Sequence, residues 1–151
     1  MPLQDRLEED VKEAMKKGQA FRLSTLRMLL SSIHNKTIEK RKKETGLSED
    51  EVTDVLISEA KKRRDAAAEF EKGDRVDLKE KEEQELIIIQ EYLPQALSKE
   101  ELGKLIETSI KESGAMSIKE LGQIMRVLQP KVKGRADNKE VIELVKEKLG
   151  G

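Results

Sequence analysis

Apolar residues in this chain recur at intervals of three and four, not two. Leu23, Leu26, Leu30, Ile33 and Thr37 fall on one helical face, with Leu29 beside them. Val52, Val55, Leu56, Ala60, Arg63, Ala67 and Phe70 repeat the pattern further on. Side chains at that spacing share a stripe that must be covered by a partner helix. No stretch alternates cleanly between β-branched and polar residues, the mark of a half-buried strand. The pattern predicts an all-α chain.

Breakers divide the stripes at Gly18, Gly46, Gly73, Pro94, Gly114 and Pro130. Four segments start with capping-box spacing: Ser48 with Glu51, Ser98 with Glu101, Ser117 with Glu120, and Asp137 with Glu140. In such a box the short side chain accepts from a free first-turn N–H, and the acid reaches back to the cap. Asp74 is a further candidate cap. The spacing predicts helices over 3–17, 19–42, 48–72, 75–92, 98–113, 117–129 and 137–149. The glycines arrive too soon for a long coiled coil, so tight turns and bundling are expected. Pro94 marks the expected boundary. An N-terminal helical bundle of about four helices would occupy 1–94, and a small three-helix domain 95–151. Leu102, Ile106, Ile110, Leu121, Ile124, Met125, Leu128, Val141, Ile142 and Val145 would fill the second core.

Composition narrows the chemistry. The chain has no Cys, so disulfides, Cys-ligated zinc, iron–sulfur clusters and thiol catalysis fall away. A single His, His34, cannot make a two-His metal site and is expected on the surface or in packing. The Ser, Glu and Asp residues form no recognisable set of nucleophile, base and orienting group, so no catalytic residue, cofactor or metal is expected. The longest apolar run, Leu86–Ile89, is too short to span a membrane, and the acidic N-terminus lacks a secretory apolar region. A cytoplasmic location is the expectation.

The formal net charge of −1 hides segregation along the chain. Residues 16–43 carry nine bases against one acid, and 44–60 carry six acids and no base. Lys61, Lys62, Arg63 and Arg64 follow, and residues 65–91 then hold ten acids against four bases. Mutual neutralisation across a bundle surface would account for those blocks. The segment from Gln129 to Lys139 differs in kind. Pro130 should end one helix and Asp137 should cap the next, leaving Lys131, Lys133 and Arg135 on a loop around Gly134. Cations beside a helix N-terminus suit phosphate oxygens, and a glycine lets a sugar–phosphate backbone come close. The alternative is an ordinary solvated turn. It is not a P-loop, because the required glycine–lysine pattern is absent.

Several stretches together resemble the YqeY-like (GatB/YqeY) family. They are Arg22-Leu23-Ser24-Thr25-Leu26-Arg27-Met28-Leu29, Glu69-Phe70-Glu71-Lys72-Gly73-Asp74-Arg75, Glu91-Tyr92-Leu93-Pro94-Gln95-Ala96-Leu97-Ser98, Gly122-Gln123-Ile124-Met125 and Lys133-Gly134-Arg135-Ala136-Asp137. The C-terminal region is similar to the tail domain of the B subunit of glutamyl/aspartyl-tRNA amidotransferase, which grips the tRNA elbow. The cradle domain that houses that enzyme's chemistry has no counterpart in this sequence. The resemblance therefore implies an RNA-gripping appendage without carbon–nitrogen ligase activity. Its motif falls on Lys133, Gly134, Arg135, Ala136 and Asp137; Lys131 lies beside it, and Arg126 and Lys139 are outlying members of the same patch. Arg135 stands where the subunit tail often has Lys, which keeps the charge but changes the donor geometry.

Phe21, Phe70 and Tyr92 are too few to stack successive bases, so recognition would run through the backbone and shape of a tRNA or other structured RNA. No DNA or membrane partner is expected. The alternative is a helical protein-interaction module or adaptor associated with aminoacyl-tRNA formation or amidation, without direct RNA binding.

Overall fold

The computed structural model describes residues 1–150. Among these, seven α-helices and one 3-10 turn are joined by short connections, with no strand. The chain is all-α. It forms two compact units, Met1–Leu93 and Pro94–Gly151.

The first unit holds α1 (Leu3–Lys16), α2 (Ala20–Glu39), α3 (Glu49–Lys72) and α4 (Val76–Gln90). α1 packs on α2, α3 on α4, and α2 joins the pairs through α3. The core contains Leu7, Ala14, Leu26, Leu29, Ile33, Val52, Leu56, Ala60, Ile89 and Tyr92. Each large aliphatic side chain fully buried there contributes about 1.5–3 kcal/mol by leaving water. Ile88 and Ile89 turn inward while Ile87 is 61% exposed, because a four-residue apolar run wraps more than one face of a helix.

Three helix ends in this unit close in the same way. After α1, Gly18 takes a left-handed φ of 68°, and Gln19 N–H donates to the Ala14 carbonyl. After α2 that left-handed position is held by Arg41 (φ 56°), and after α3 by Asp74 (φ 58°). The Arg75 N–H then donates to the Phe70 carbonyl at 2.8 Å, and Asp74 N–H to Glu71 at 3.2 Å, the double bond of a Schellman ending. Asp74 therefore closes α3 and does not cap α4, whose cap position is Arg75, without a side-chain hydrogen bond. Of the expected capping boxes, Ser48–Glu51 forms in both directions. Ser98 accepts from Glu101 N–H at 3.1 Å, and Asp137 accepts from Lys139 N–H at 3.3 Å. Ser117 makes no cap bond; it precedes the 3-10 turn Ile118–Glu120.

The second unit holds α5 (Lys99–Ser113), α6 (Leu121–Val132) and α7 (Asn138–Lys148). α5 packs against both α6 and α7. Leu102, Ile106, Ile124, Leu128, Val132, Val141 and Val145 form its core. Ile142, expected among them, is only half-buried. Val132 belongs to this core because α6 does not stop at Pro130. Pro130 sits inside the helix, and Lys133 N–H still donates to the Gln129 carbonyl at 3.0 Å. A proline removes only its own donor, and the buried Val132 (2% exposed) holds the last turn in place.

Candidate nucleic-acid interface

The connection between α6 and α7 is shorter than the sequence suggests. Lys131 is on the helix, and the turn itself runs Val132–Arg135. Lys133 has φ −54° and ψ 120°, Gly134 has φ 73°, and Arg135 N–H donates to the Val132 carbonyl at 2.8 Å. These are the dihedrals and hydrogen bond of a type II turn, whose third position demands a positive φ. Gly134 is thus required by the turn, whatever approaches it from outside.

The cations around this turn are in different situations. Lys131 is partly buried and pairs with Glu112 on α5 at 3.1 Å. Arg135 is half-buried; its Nε donates to the Gln95 carbonyl at 3.0 Å, and its own carbonyl accepts from Leu97 N–H at 2.8 Å. Those two bonds tie the turn to the segment leading into α5. Lys133 is half-buried and is not without a partner. Arg126 and Lys139 are exposed, and neither side chain makes a hydrogen bond or ion pair among the described residues. The residues central to the motif are therefore engaged in holding the unit together, and the outlying ones face water. From Leu121 to Ala136 there are four bases and no acid. A reading centred on cations passes over Gly122, Gln123 and Gln129, which are also exposed on α6.

About half of the bases in the two basic blocks of the first unit, 16–43 and 61–64, meet carboxylates. Lys40 and Lys42 converge on Glu51 at 2.8 and 2.7 Å. With the Ser48 N–H, they hold the Glu51 carboxyl well below the usual carboxylate range. Lys17 pairs with Glu13, Arg22 with Glu91, and Lys36 with Glu39. Arg63 lies among Glu59, Glu82 and Glu85 at 3.2, 3.7 and 2.9 Å and also touches the Met28 sulfur. A cleft of about 480 Å³ is lined by Ser32, Asn35, Glu51 and Glu59 among others, and its charged walls are paired with one another. His34 is exposed on α2.

A second cluster centres on Tyr92, which is buried. Its hydroxyl donates to the Asp10 carboxylate and accepts from Arg22 at 3.3 Å, while the Arg6 guanidinium lies 4.5 Å from the ring centroid. Burial, then Asp10, push the phenol well above its ordinary range. This cluster fastens the residues after α4 to α1 and α2.

Curated relatives include the altered inheritance of mitochondria protein 41 of Kluyveromyces lactis, 38% identical over 112 residues, 71% of this chain and 60% of that protein. The same-named protein of Lachancea thermotolerans is 40% identical over 89 residues, 59% of this chain and 46% of that protein. An uncharacterized protein of Schizosaccharomyces pombe is 33% identical over 96 residues, covering 64% of this chain and 76% of that one. The chain spans about half the length of the first relatives. These relatives are named as mitochondrial proteins, which overturns the cytoplasmic expectation; that expectation rested on composition, which carries no address. Residues 4–149 match the family described as Yqey-like protein, and the chain belongs to that family.

Proposed function

We propose that this protein is a non-catalytic accessory factor that binds tRNA or another structured RNA through its C-terminal unit. The observation that carries the reading is the acid-free stretch Leu121–Ala136, with the side chains of Arg126 within it and Lys139 just after it exposed and unpaired. In a chain with 31 acidic residues, sixteen consecutive positions without one favour an anionic partner. Lys131, Lys133 and Arg135 add positive charge to that stretch, Arg135 also ties the turn to the segment before α5, and Gly134 shapes the turn. The similarity to an amidotransferase tail domain supports RNA as the anion.

The test is binding of the purified protein to bulk folded tRNA and to an unstructured RNA of equal length, across a salt series. Preference for tRNA is expected, with affinity falling steeply as salt rises, since each neutralised phosphate contributes a slope of roughly 0.7 to 0.9. Equal weak binding to both, or none, contradicts the reading.

A specific observation also favours the adaptor reading. Met15, Phe21, Ile38, Val76 and Ile87 are exposed large apolar residues, all on α1, α2 or α4. Val76 and Ile87 lie on one side of α4, but Glu80 and Glu83 stand between them. Apolar residues scattered singly are ordinary on protein surfaces, so this reading ranks second.

A further inference from the structure

Glycines in folded chains usually have a local reason, and Gly122 has none inside this molecule. Gly18, Gly46, Gly114, Gly134 and Gly150 occupy left-handed backbone. A Cβ built on Gly73 or Gly103 would come into ordinary van der Waals contact with the Glu69 and Phe70 carbonyls or with the Lys148 side chain. Gly122 is helical, exposed, and a Cβ built on it meets nothing within 4 Å. A helical position of that kind accepts alanine with a gain in helix propensity.

What surrounds Gly122 gives it a reason outside the molecule. The core side of α6 is marked by Ile124, Leu128 and Val132. Gly122, Arg126 and Gln129, spaced four then three, lie on the opposite side, with Gln123 at its edge. All four are exposed. This face contains no acid and one unpaired guanidinium, and at Gly122 bare main chain is open to solvent. It spans about 10 Å from Gly122 to Gln129 at the helical rise.

We infer that this outer face of α6 is where a folded RNA lies closest, its sugar–phosphate backbone seated against Gly122. Arg126 takes a phosphate oxygen, and the Gln123 and Gln129 amides face the ribose 2′-hydroxyls of an A-form surface. The assignment rests on the RNA-binding reading above and moves its centre from the turn at Gly134 to the helix before it. A polypeptide partner would have no need of the acid-free face, and it becomes an outcome of the test.

Gly122→Ala and Gly122→Leu are the informative variants, measured in the full chain by thermal melting and by affinity for bulk tRNA at fixed salt. Neither should lower the Tm. Affinity should fall for Ala and further for Leu, by roughly ten-fold. Unchanged tRNA affinity in both, while Lys139→Ala still weakens binding, overturns this face and leaves the RNA reading standing. A lowered Tm overturns it too, because the glycine then has a structural reason. If the unaltered protein does not bind tRNA, both fall, whether or not a protein partner is found.

Discussion

The basic segment at residues 16–43 and the basic stretch at residues 121–136 look alike as strings of charge, yet they have different fates in space. The first carries nine bases against one acid, and five of those bases find carboxylates, four of the five pairing outside the segment with Glu13, Glu51 or Glu91. The second contains no acid. There Lys131 reaches Glu112, Arg135 turns to a backbone carbonyl, and Arg126 stays in water. Net charge counted along a sequence describes neither case. What matters is whether the fold brings a carboxylate alongside, because a paired cation exerts little field on a distant anion. Among the described residues, the first region meets five of its nine bases with carboxylates and leaves Lys16, Arg27, Arg41 and Lys43 exposed without one, whereas the second meets Lys131 and leaves Arg126 exposed.

If the first unit is a charge-matched scaffold, its centre should be costly to remove. Arg63 is the sharpest point of attack, with a side chain 13% exposed among three carboxylates. Arg63→Ala leaves Glu59, itself 6% exposed, with Lys62 and Ser32 as its remaining partners. A loss of about 3 kcal/mol is expected in denaturant unfolding, the scale for removing one partner of a buried pair. A loss within about 0.5 kcal/mol, the usual effect of a surface change, would mean that the cluster is solvated and the contrast with the second unit is one of degree.

A smaller effect is expected at Tyr92, where the matching is partly by hydrogen bond. Tyr92→Phe takes from Asp10 its phenol donor and from Arg22 one of two acceptors, Glu91 remaining, and should cost about 1–2 kcal/mol near neutral pH. The folded phenol keeps its proton above the ordinary value, so the unfolded chain ionises first. Stability from this group is full below about pH 10 and declines as pH rises past it. Unfolding measured on both proteins from pH 8 to 11 should therefore show a steeper alkaline decline in the unaltered one. Parallel curves would mean that the hydroxyl is not buried as described.

The helices and the apolar stripes were legible because both are local patterns. Leu26, Ile33, Val52, Leu56, Leu102, Ile124 and Val145 are core residues in the positions their spacing implies. Helix ends were less so. Asp74 reads as a cap for the next helix, yet it takes the left-handed conformation that closes α3, which aspartate tolerates. Pro130 looked like a terminator because a proline removes one helical bond, whereas Val132 and the Lys133–Gln129 bond carry the helix past it. The candidate site was the least legible part. Lys131 meets a carboxylate nineteen positions away, and Arg135 a carbonyl forty away, so no reading of neighbours could have separated them from Arg126 and Lys139.

The contrast between the two regions is tested most directly by the salt dependence of tRNA binding in two double variants. Arg126→Ala with Lys139→Ala removes exposed, unpaired cations of the second unit; Lys17→Ala with Lys36→Ala removes two paired cations of the first. The account predicts that the slope of log affinity against log salt falls by roughly two in the former and stays unchanged in the latter. A fall in the latter, with none in the former, would place the anion-binding surface on the first unit and contradict the account.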